Sequence, residues 1–174
     1  GGFGGLDYKS AREKLGIPGG KTYVLAFGGS LGAQRINETV FEYMKHLDKQ
    51  GGDVICHLAT GKNYYEDFST QFKAVGLDKN ADLCMMEYIH DMHVRMSAAD
   101  IIVCRAGAMT ISELAMMKKA CVIIPSPNVV DNHQYKNAKV LSDAGAAVML
   151  EESSLSDESF AKAVNSLISS PEKR

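Results

Sequence analysis

Along most of this chain, short apolar runs alternate with stretches in which apolar residues recur every three or four positions. The runs are typical of buried β-strands, and the spaced stretches are typical of amphipathic helices. Strands are predicted at 22–27, 53–59, 81–88, 100–104, 120–125 and 146–150. Helices are predicted at 8–16, 33–47, 64–75, a short segment ending near 98, 110–118, 132–144 and 156–169. The residues of helix 33–47 expected to face the core are Ile36, Val40, Phe41, Met44 and Leu47.

Strands and helices follow each other in alternation, without repeats or an internal linker. This order predicts an α/β fold, a Rossmann-like, doubly wound parallel sheet of about six strands. Ligands of such sheets bind outside the carboxyl ends of the strands. The loops predicted at those ends are 28–32, 60–63, 88–92, 105–109 and 125–133.

The loop after the fourth predicted strand has the features of an anion site. Gly107 permits a sharp turn, and a helix begins near Thr110. The unpaired N–H groups and the dipole of a helix N-terminus favour a phosphate group. Glu113 lies one turn along that helix, where its carboxylate can accept hydrogen bonds from a ribose diol. The stretch therefore predicts a site for a nucleotide diphosphate.

The glycines after the first predicted strand allow two interpretations. A dinucleotide-binding fingerprint that starts at Gly28 needs a glycine at position 30, where the chain has Ser30. The second strand also ends without an acidic residue for an adenosine ribose. The glycines therefore serve tight strand-to-helix packing alone, or they present N–H groups, with the Ser30 hydroxyl, to a phosphate or sugar. The glycines concerned are Gly28, Gly29 and Gly32.

Polar residues near two other strand ends are less specific. Arg105 directly follows a buried strand, where it can neutralise a phosphate or pair with a carboxylate such as Asp131. Neither alternative is favoured. A cluster of polar residues opens the next predicted helix, where such residues are commonly just exposed. The cluster consists of His133, Gln134 and Asn137.

Composition narrows the class of protein. The chain has 174 residues, of which 45% are hydrophobic and 23% charged, with a formal net charge of −2. These values indicate a globular domain and no nucleic-acid partner. No apolar stretch approaches the length needed to span a bilayer. His90 and His93 have helical spacing but no further ligand cluster, so no metal site is expected. The four cysteines lie in apolar runs without C-x-x-C spacing, which favours buried thiols in the cytoplasm.

The glycine-rich start, Gly1-Gly2-Phe3-Gly4-Gly5, resembles a linker or a remnant of cloning. We therefore expect residues 1–7 to lie outside the fold and residues 8–174 to form one domain. The chain is expected to be a piece of a longer protein.

Three segments jointly resemble the C-terminal domain of the MurG family of bacterial glycosyltransferases. They are 28–33 with Asn37, 105–113 and 131–138, in the family's order and spacing. The resemblance covers about residue 8 to the end. It implies one half of a two-domain GT-B enzyme, the half that binds the UDP-sugar donor. Such enzymes transfer N-acetylglucosamine from UDP-N-acetylglucosamine to undecaprenyl-pyrophosphoryl-MurNAc-pentapeptide (lipid I), with inversion, to give lipid II for peptidoglycan. The resemblance implies no cofactor and no catalytic metal.

The resemblance also implies roles for individual residues. The residues implied at the uracil are Tyr88, Ile89 and Met92, with the backbone of Ile89 matching the edge of the base. The residue implied at the ribose is Glu113. The residues implied at the diphosphate are Ser30 and Arg105, with the backbone of Ala108, Met109 and Thr110. The residues implied at the sugar are Gln134, which reaches its hydroxyl groups, with His133 and Asn137 beside it.

Two positions depart from the family pattern. Met109 and His133 stand where other members often have leucine and glutamine. The substitution by methionine conserves volume, whereas the histidine puts the sugar contact at that position in doubt.

The missing N-terminal domain is expected to supply the acceptor site, the general base and the membrane-facing surface. The expected partners are UDP-N-acetylglucosamine, that domain and, through it, lipid I and the membrane. The whole enzyme is expected in the cytoplasm, peripheral on the inner face of the cell membrane, and this chain alone is expected to be inactive. Two alternatives stay open: another UDP-sugar enzyme, such as a non-hydrolysing 2-epimerase, or a non-catalytic nucleotide-binding module.

Overall fold

The computed structural model of the protein describes residues 7–29, 32–127, 133–143 and 147–169. The strands are β1 (Thr22–Phe27), β2 (Val54–Ala59), β3 (Leu83–Met86), β4 (Ile101–Cys104), β5 (Ala120–Ile123) and β6 (Ala147–Met149). The helices are α1 (Tyr8–Leu15), α2 (Gln34–Gln50), α3 (Tyr65–Ala74), α4 (Met92–Ala98), α5 (Ala108–Met117), α6 (His133–Asp143) and α7 (Asp157–Ile168). Short 3-10 turns occur at Leu77–Lys79 and Glu152–Ser154. Every predicted strand and helix is present, with ends that differ by a few residues.

The six strands form one parallel sheet in the order β3-β2-β1-β4-β5-β6, which confirms the predicted α/β fold. The chain divides into two compact units, residues 1–100 and 101–174. In the first unit, Ala59 at the end of β2 lies opposite both Phe27 and Met86. In the second unit, Ile123 at the end of β5 lies opposite both Cys104 and Met149. Within each unit, the loops that follow the strands therefore leave from the same edge.

The core of the first unit surrounds β1, in which Tyr23, Val24, Leu25 and Ala26 are fully buried. Burial on both faces is expected of a strand in a parallel sheet whose two faces are covered by helices. α2 turns its predicted apolar face to this core, with Ile36, Val40 and Met44 at 0% exposure and Phe41 at 6%. Each such side chain contributes about 1.5–3 kcal/mol to the free energy of unfolding. Leu47, near the end of the helix, is only half-buried.

The core of the second unit is formed by β4 and β5, which are buried along their whole length. α7 contributes Phe160, Val164 and Leu167 to this core. α5 differs from the other helices because Leu114 is its one buried residue, although most of its residues are apolar. Met109, the second residue of α5, is 79% exposed. The first turn of α5 therefore faces solvent.

Further predictions can be compared with the described residues. β3 is shorter than the predicted strand at 81–88. The cysteines are unpaired, three of them buried and Cys84 half-buried. Of the expected linker at 1–7, Asp7 alone is described, and its carboxylate caps α1 by accepting from the N–H of Ser10 at 2.7 Å. Across the described ranges, no helix is long and apolar enough to cross a membrane.

Candidate nucleotide-binding site

Arg105 ties the loop after β4 to the segments beside it. Its Nη1 donates to the carbonyl oxygens of Ile124 and Pro125 at 3.2 and 3.1 Å and to Oε2 of Glu152 at 2.6 Å. The two charged side chains are 18% and 24% exposed, so this pair is more shielded than an ordinary surface ion pair. The carboxylate partner of Arg105 is thus Glu152, whereas Asp131, named as an example from the sequence, lies outside the described residues. A phosphate contact by Arg105 stays a prediction.

Two amide side chains of α6 hold Ala106, the next residue. Oε1 of Gln134 accepts from the N–H groups of Ser126 at 2.8 Å and Ala106 at 3.4 Å. Nδ2 of Asn137 donates to the carbonyl oxygen of Ala106 at 3.1 Å. Gln134 and Asn137 are three positions apart and therefore share one face of α6. Both are half-buried, so the alternative that they are just exposed does not apply to them. They fix the backbone immediately before Gly107.

Gly107 is the N-cap of α5, with φ −64° and ψ 147°. Any residue adopts this extended conformation, so the backbone here does not require the conformational freedom of glycine. A Cβ at this position would meet no atom within 4 Å, so packing does not require glycine either. The carbonyl oxygen of Gly107 accepts from the N–H of Ile111 at 2.9 Å. The N–H groups of Ala108, Met109 and Thr110 precede that bond and have no acceptor inside the helix. No side chain caps them in the described structure, which leaves them open to an anion.

Glu113 lies half-buried on α5, one turn beyond Thr110. Its side chain makes no hydrogen bond or ion pair with any described residue. Both carboxylate oxygens are therefore available to a donor such as a diol. The predicted pairing of a phosphate site with a nearby acceptor thus has a physical basis within the second unit.

The glycine loop of the first unit is shaped by packing. A Cβ at Gly28 would lie 2.6 Å from Cβ of Ala33. At Gly32, φ is 93°, and a Cβ would overlap the carbonyl oxygen of Thr60. Gly29 has φ 102° but open space around it. Tight packing alone is sufficient to require the first and last of these glycines, and a phosphate contact by the loop stays a prediction.

The loop after β3 carries the residues implied at the uracil. Ile89 is 4% exposed, and neither its N–H nor its C=O forms a hydrogen bond with the described residues. A buried backbone group without a partner is costly, so a ligand edge that pairs with it would be stabilising. Tyr88 is 51% exposed and contacts the ring of His90 edge to face, with centroids 5.2 Å apart. Met92 is the first residue of α4.

Other predicted residues are less well defined. Ser30, implied at the diphosphate, and the candidate helix caps Asp131 and Asn132 lie outside the described residues. His133 is the exposed first residue of α6. His90 and His93 belong to no group of three or more His, Cys, Asp or Glu side chains that could hold a metal, as far as the described ranges extend.

The glycosyltransferase family 28 C-terminal domain matches residues 23–174 of this chain. The chain belongs to this family. A relative from Acetivibrio thermocellus, 39% identical over 92% of this chain, is named UDP-N-acetylglucosamine--N-acetylmuramyl-(pentapeptide) pyrophosphoryl-undecaprenol N-acetylglucosamine transferase. A relative from Myxococcus xanthus with the same name is 42% identical over 86% of this chain. The chain spans 42% and 38% of these two relatives, less than half of their length. The crystal structure of Acinetobacter baumannii MurG matches with a TM-score of 0.75 and 32% identity, over 94% of this chain and 45% of that one.

Sequence reasoning missed the hydrogen bonds by which Arg105 and Gln134 hold neighbouring segments in this family 28 domain. We call these two sets of contacts braces. Gln134 was expected at the sugar, yet its Oε1 bonds to backbone N–H groups 8 and 28 positions away. Glu152 was not singled out at all, although it is the carboxylate on Arg105. The available signal for such contacts was a polar residue at a strand end, followed later in the sequence by acidic and amide side chains without an assigned structural partner. Nothing in the periodicity of the chain says which of them meet.

Proposed function

We propose that residues 8–174 are the donor-binding half of a transferase that moves N-acetylglucosamine from UDP-N-acetylglucosamine to lipid I, which gives lipid II. One observation carries the proposal. The open N-terminus of α5 and the unengaged carboxylate of Glu113 stand in the second unit of a chain whose relatives are named for this transfer. A nucleoside diphosphate needs both of these features, an anion site and an acceptor for its ribose.

The N-terminus of α5 is suited to stabilise the leaving group of the transfer, which is the diphosphate. When the bond between the sugar and the diphosphate breaks, negative charge grows on the departing phosphate oxygen. The N–H groups of residues 108–110 and the helix dipole stabilise that charge. Since the preceding backbone is already fixed by Gln134 and Asn137, little reorganisation accompanies the reaction.

The remaining contacts are assigned to the donor by residue. Glu113 accepts from the ribose hydroxyl groups, and the free N–H and C=O of Ile89 pair with the uracil, beside Tyr88 and Met92. Gln134 donates to the sugar through Nε2, which makes no hydrogen bond within the described structure. The groups assigned to the diphosphate or the sugar on resemblance alone are Ser30, Arg105, His133, Asn137 and the glycines at 28, 29 and 32.

The acceptor side belongs to the N-terminal domain of the longer protein. That domain brings lipid I, the general base and the contact with the inner face of the cell membrane. This chain therefore binds donor but gives no product when lipid I is added. Turnover by the chain alone would contradict this assignment.

Base selectivity tests the proposal most directly. Calorimetric titrations with UDP-N-acetylglucosamine, UDP, GDP and NADH should give binding for the two uridine compounds and much weaker binding for the others. Equal or stronger binding of NADH would restore the dinucleotide interpretation. A full-length protein assayed on lipid I then separates this transferase from a 2-epimerase or a nucleotide-binding module.

Substitution Glu113→Ala tests the ribose contact. Loss of a hydrogen bond to a charged group costs about 1.5–3 kcal/mol, or roughly 10- to 150-fold in affinity for UDP. Glu158→Ala is the matched control, because Glu158 is an exposed acid in the first turn of α7. Unchanged UDP affinity in a folded Glu113→Ala protein would show that the ribose lies elsewhere.

A further inference from the structure

Three polar side chains meet beneath the loop after β3, within the first unit. Nη1 of Arg95 on α4 lies 3.1 Å from the hydroxyl of Tyr23 on β1 and 3.0 Å from Nδ1 of His57 on β2. The hydroxyl of Tyr23 lies 3.0 Å from the same Nδ1. Tyr23 is fully buried and the other two are half-buried. This cluster, the Arg95 triangle, is used by no step of the proposed reaction.

The direction of each hydrogen bond in the triangle follows from the donors available. A guanidinium donates and never accepts, so Nδ1 of His57 is the acceptor and its proton is on Nε2. The hydroxyl of Tyr23 accepts from Arg95 and donates to His57. Burial, with the charge of Arg95 as a second cause, lowers the pKa of His57 to about 4. Asp82 and Asp91 oppose this effect weakly, so the imidazole is neutral near pH 7 and the triangle keeps one arrangement.

The guanidinium also reaches the loop above it. Nε of Arg95 donates to Oδ1 of Asp91 at 2.9 Å, while Nη1 is engaged with Tyr23 and His57. Asp91 is the N-cap of α4, but its side chain makes no capping bond to the helix backbone. Its carboxylate instead accepts from Arg95, which also contacts Tyr23 on β1 and His57 on β2.

We propose that Arg95 is a positioning residue for recognition of the base of a nucleotide. Asp91 lies between Ile89 and Met92, so holding Asp91 sets the place of the Ile89 backbone. Arg95 itself is assigned no ligand contact in this scheme, because its Nε is directed to Asp91 and its Nη1 to Tyr23 and His57. The inference rests on the proposed function, since it assigns the uracil to this loop. It extends that function by adding a residue that the sequence pattern did not single out.

Substitution Arg95→Gln tests the inference. Glutamine cannot reach Asp91 and the triangle at the same time, so the loop loses its anchor. Energetic coupling between neighbouring groups predicts a fall in UDP affinity of roughly 3- to 30-fold. Preference for UDP over GDP should shrink as well, whereas affinity for inorganic pyrophosphate, which has no base, should stay the same. Lys45→Gln, which removes a surface cation of α2 paired with Glu42, is the charge-matched control.

Two further variants test the same role of Arg95 with smaller changes to the protein. Arg95→Lys retains the charge but not the two-branched geometry, so it should restore only part of the base preference. Tyr23→Phe keeps the buried ring and removes one corner of the triangle, so it should shift base preference in the same direction, by less. Amide hydrogen exchange at 89–92 should accelerate in Arg95→Gln and not in Lys45→Gln.

The outcomes separate the two proposals. If the unchanged chain binds UDP with selectivity and Arg95→Gln keeps that selectivity, the positioning role is refuted and the proposed function stands. An equal loss for UDP and pyrophosphate would show a general structural role and would also refute it. If the unchanged chain shows no preference among bases, both proposals fail. If Arg95→Gln does not fold, the base preferences of Tyr23→Phe and Arg95→Lys decide.

Discussion

Substitution Gly107→Ala tests whether glycine is needed at position 107 for ligand binding or for folding. The backbone at Gly107 suits alanine, and the added methyl group would meet no atom within 4 Å. Replacing glycine by alanine at a compatible position stabilises by about 0.4–1 kcal/mol through the unfolded chain. Alanine is a poorer N-cap than glycine, which offsets that gain by roughly 0.5–1 kcal/mol. The free energy of unfolding should therefore change by less than about 1 kcal/mol, and Tm by less than about 4 °C.

The affinity for UDP should respond quite differently. If a diphosphate approaches the N–H groups of 108–110, the methyl group of Gly107→Ala occupies part of its path. Loss of one hydrogen bond to a charged group costs about 1.5–3 kcal/mol, which corresponds to roughly 10- to 150-fold in Kd. If glycine is needed at position 107 by the ligand and not by the fold, Gly107→Ala should weaken binding strongly and leave folding almost unchanged.

Calorimetry with UDP and thermal unfolding of the same samples provide the two measurements. Gly19→Ala is the matched control, because a Cβ at Gly19 also meets no atom within 4 Å and φ there is not left-handed. Gly28 and Gly32 cannot serve, since packing forbids a side chain at both. A Gly107→Ala protein that binds UDP within about twofold of the control, at an unchanged Tm, would refute a phosphate at this loop.

Two further predictions concern stability. The pKa of His57 is lowered from 6.5 to about 4 in the folded protein, so the unfolded chain binds the proton more tightly. The contribution of neutral His57 to the free energy of unfolding is complete above pH 6.5 and is lost as pH falls towards 4. Urea unfolding should therefore show a loss of about 2–3 kcal/mol between pH 7 and pH 4.5, and His57→Gln should remove that loss. Substitution Gln134→Ala leaves the N–H of the buried Ala106 without its partner, which should cost about 1–3 kcal/mol and lower Tm by roughly 2–12 °C in a thermal scan, whereas Gln134→Glu keeps the acceptor and should cost less.

The elements of the fold could be predicted from local pattern because burial and periodicity are properties of neighbouring residues. α2 shows this, since Ile36, Val40 and Met44 recur at helical spacing and are all fully buried. The Arg95 triangle could not be predicted in this way. Arg95 reads as an ordinary helix residue, and its partners Tyr23 and His57 lie 72 and 38 positions earlier in the chain. Polar groups inside otherwise apolar strands are the one local signal that such a cluster leaves.

The candidate site divides along the same line. A strand, a short loop and a helix N-terminus are contiguous in sequence, so the uncapped start of α5 could be predicted, whereas the anion assigned to it stays a prediction. Gly107 was singled out because glycine permits a sharp turn, whereas its backbone is extended and suits any residue. The braces at Arg105 and Gln134 depend on contacts with Glu152 and Ser126, which only tertiary structure brings near.

Gln134 shows why a loss of affinity cannot be equated with a ligand contact. Its Oε1 supports the loop that precedes the anion site, so Gln134→Ala should weaken UDP and UDP-N-acetylglucosamine alike, because a misplaced loop affects the diphosphate common to both. Its Nε2 is the group assigned to the sugar. Gln134→Glu keeps an oxygen where Oε1 accepts and removes only the donor. Its added negative charge acts on both ligands, so the ratio of the two affinities is the informative quantity. A ratio that moves against UDP-N-acetylglucosamine in Gln134→Glu identifies a sugar contact, whereas an unchanged ratio leaves Gln134 with the brace alone.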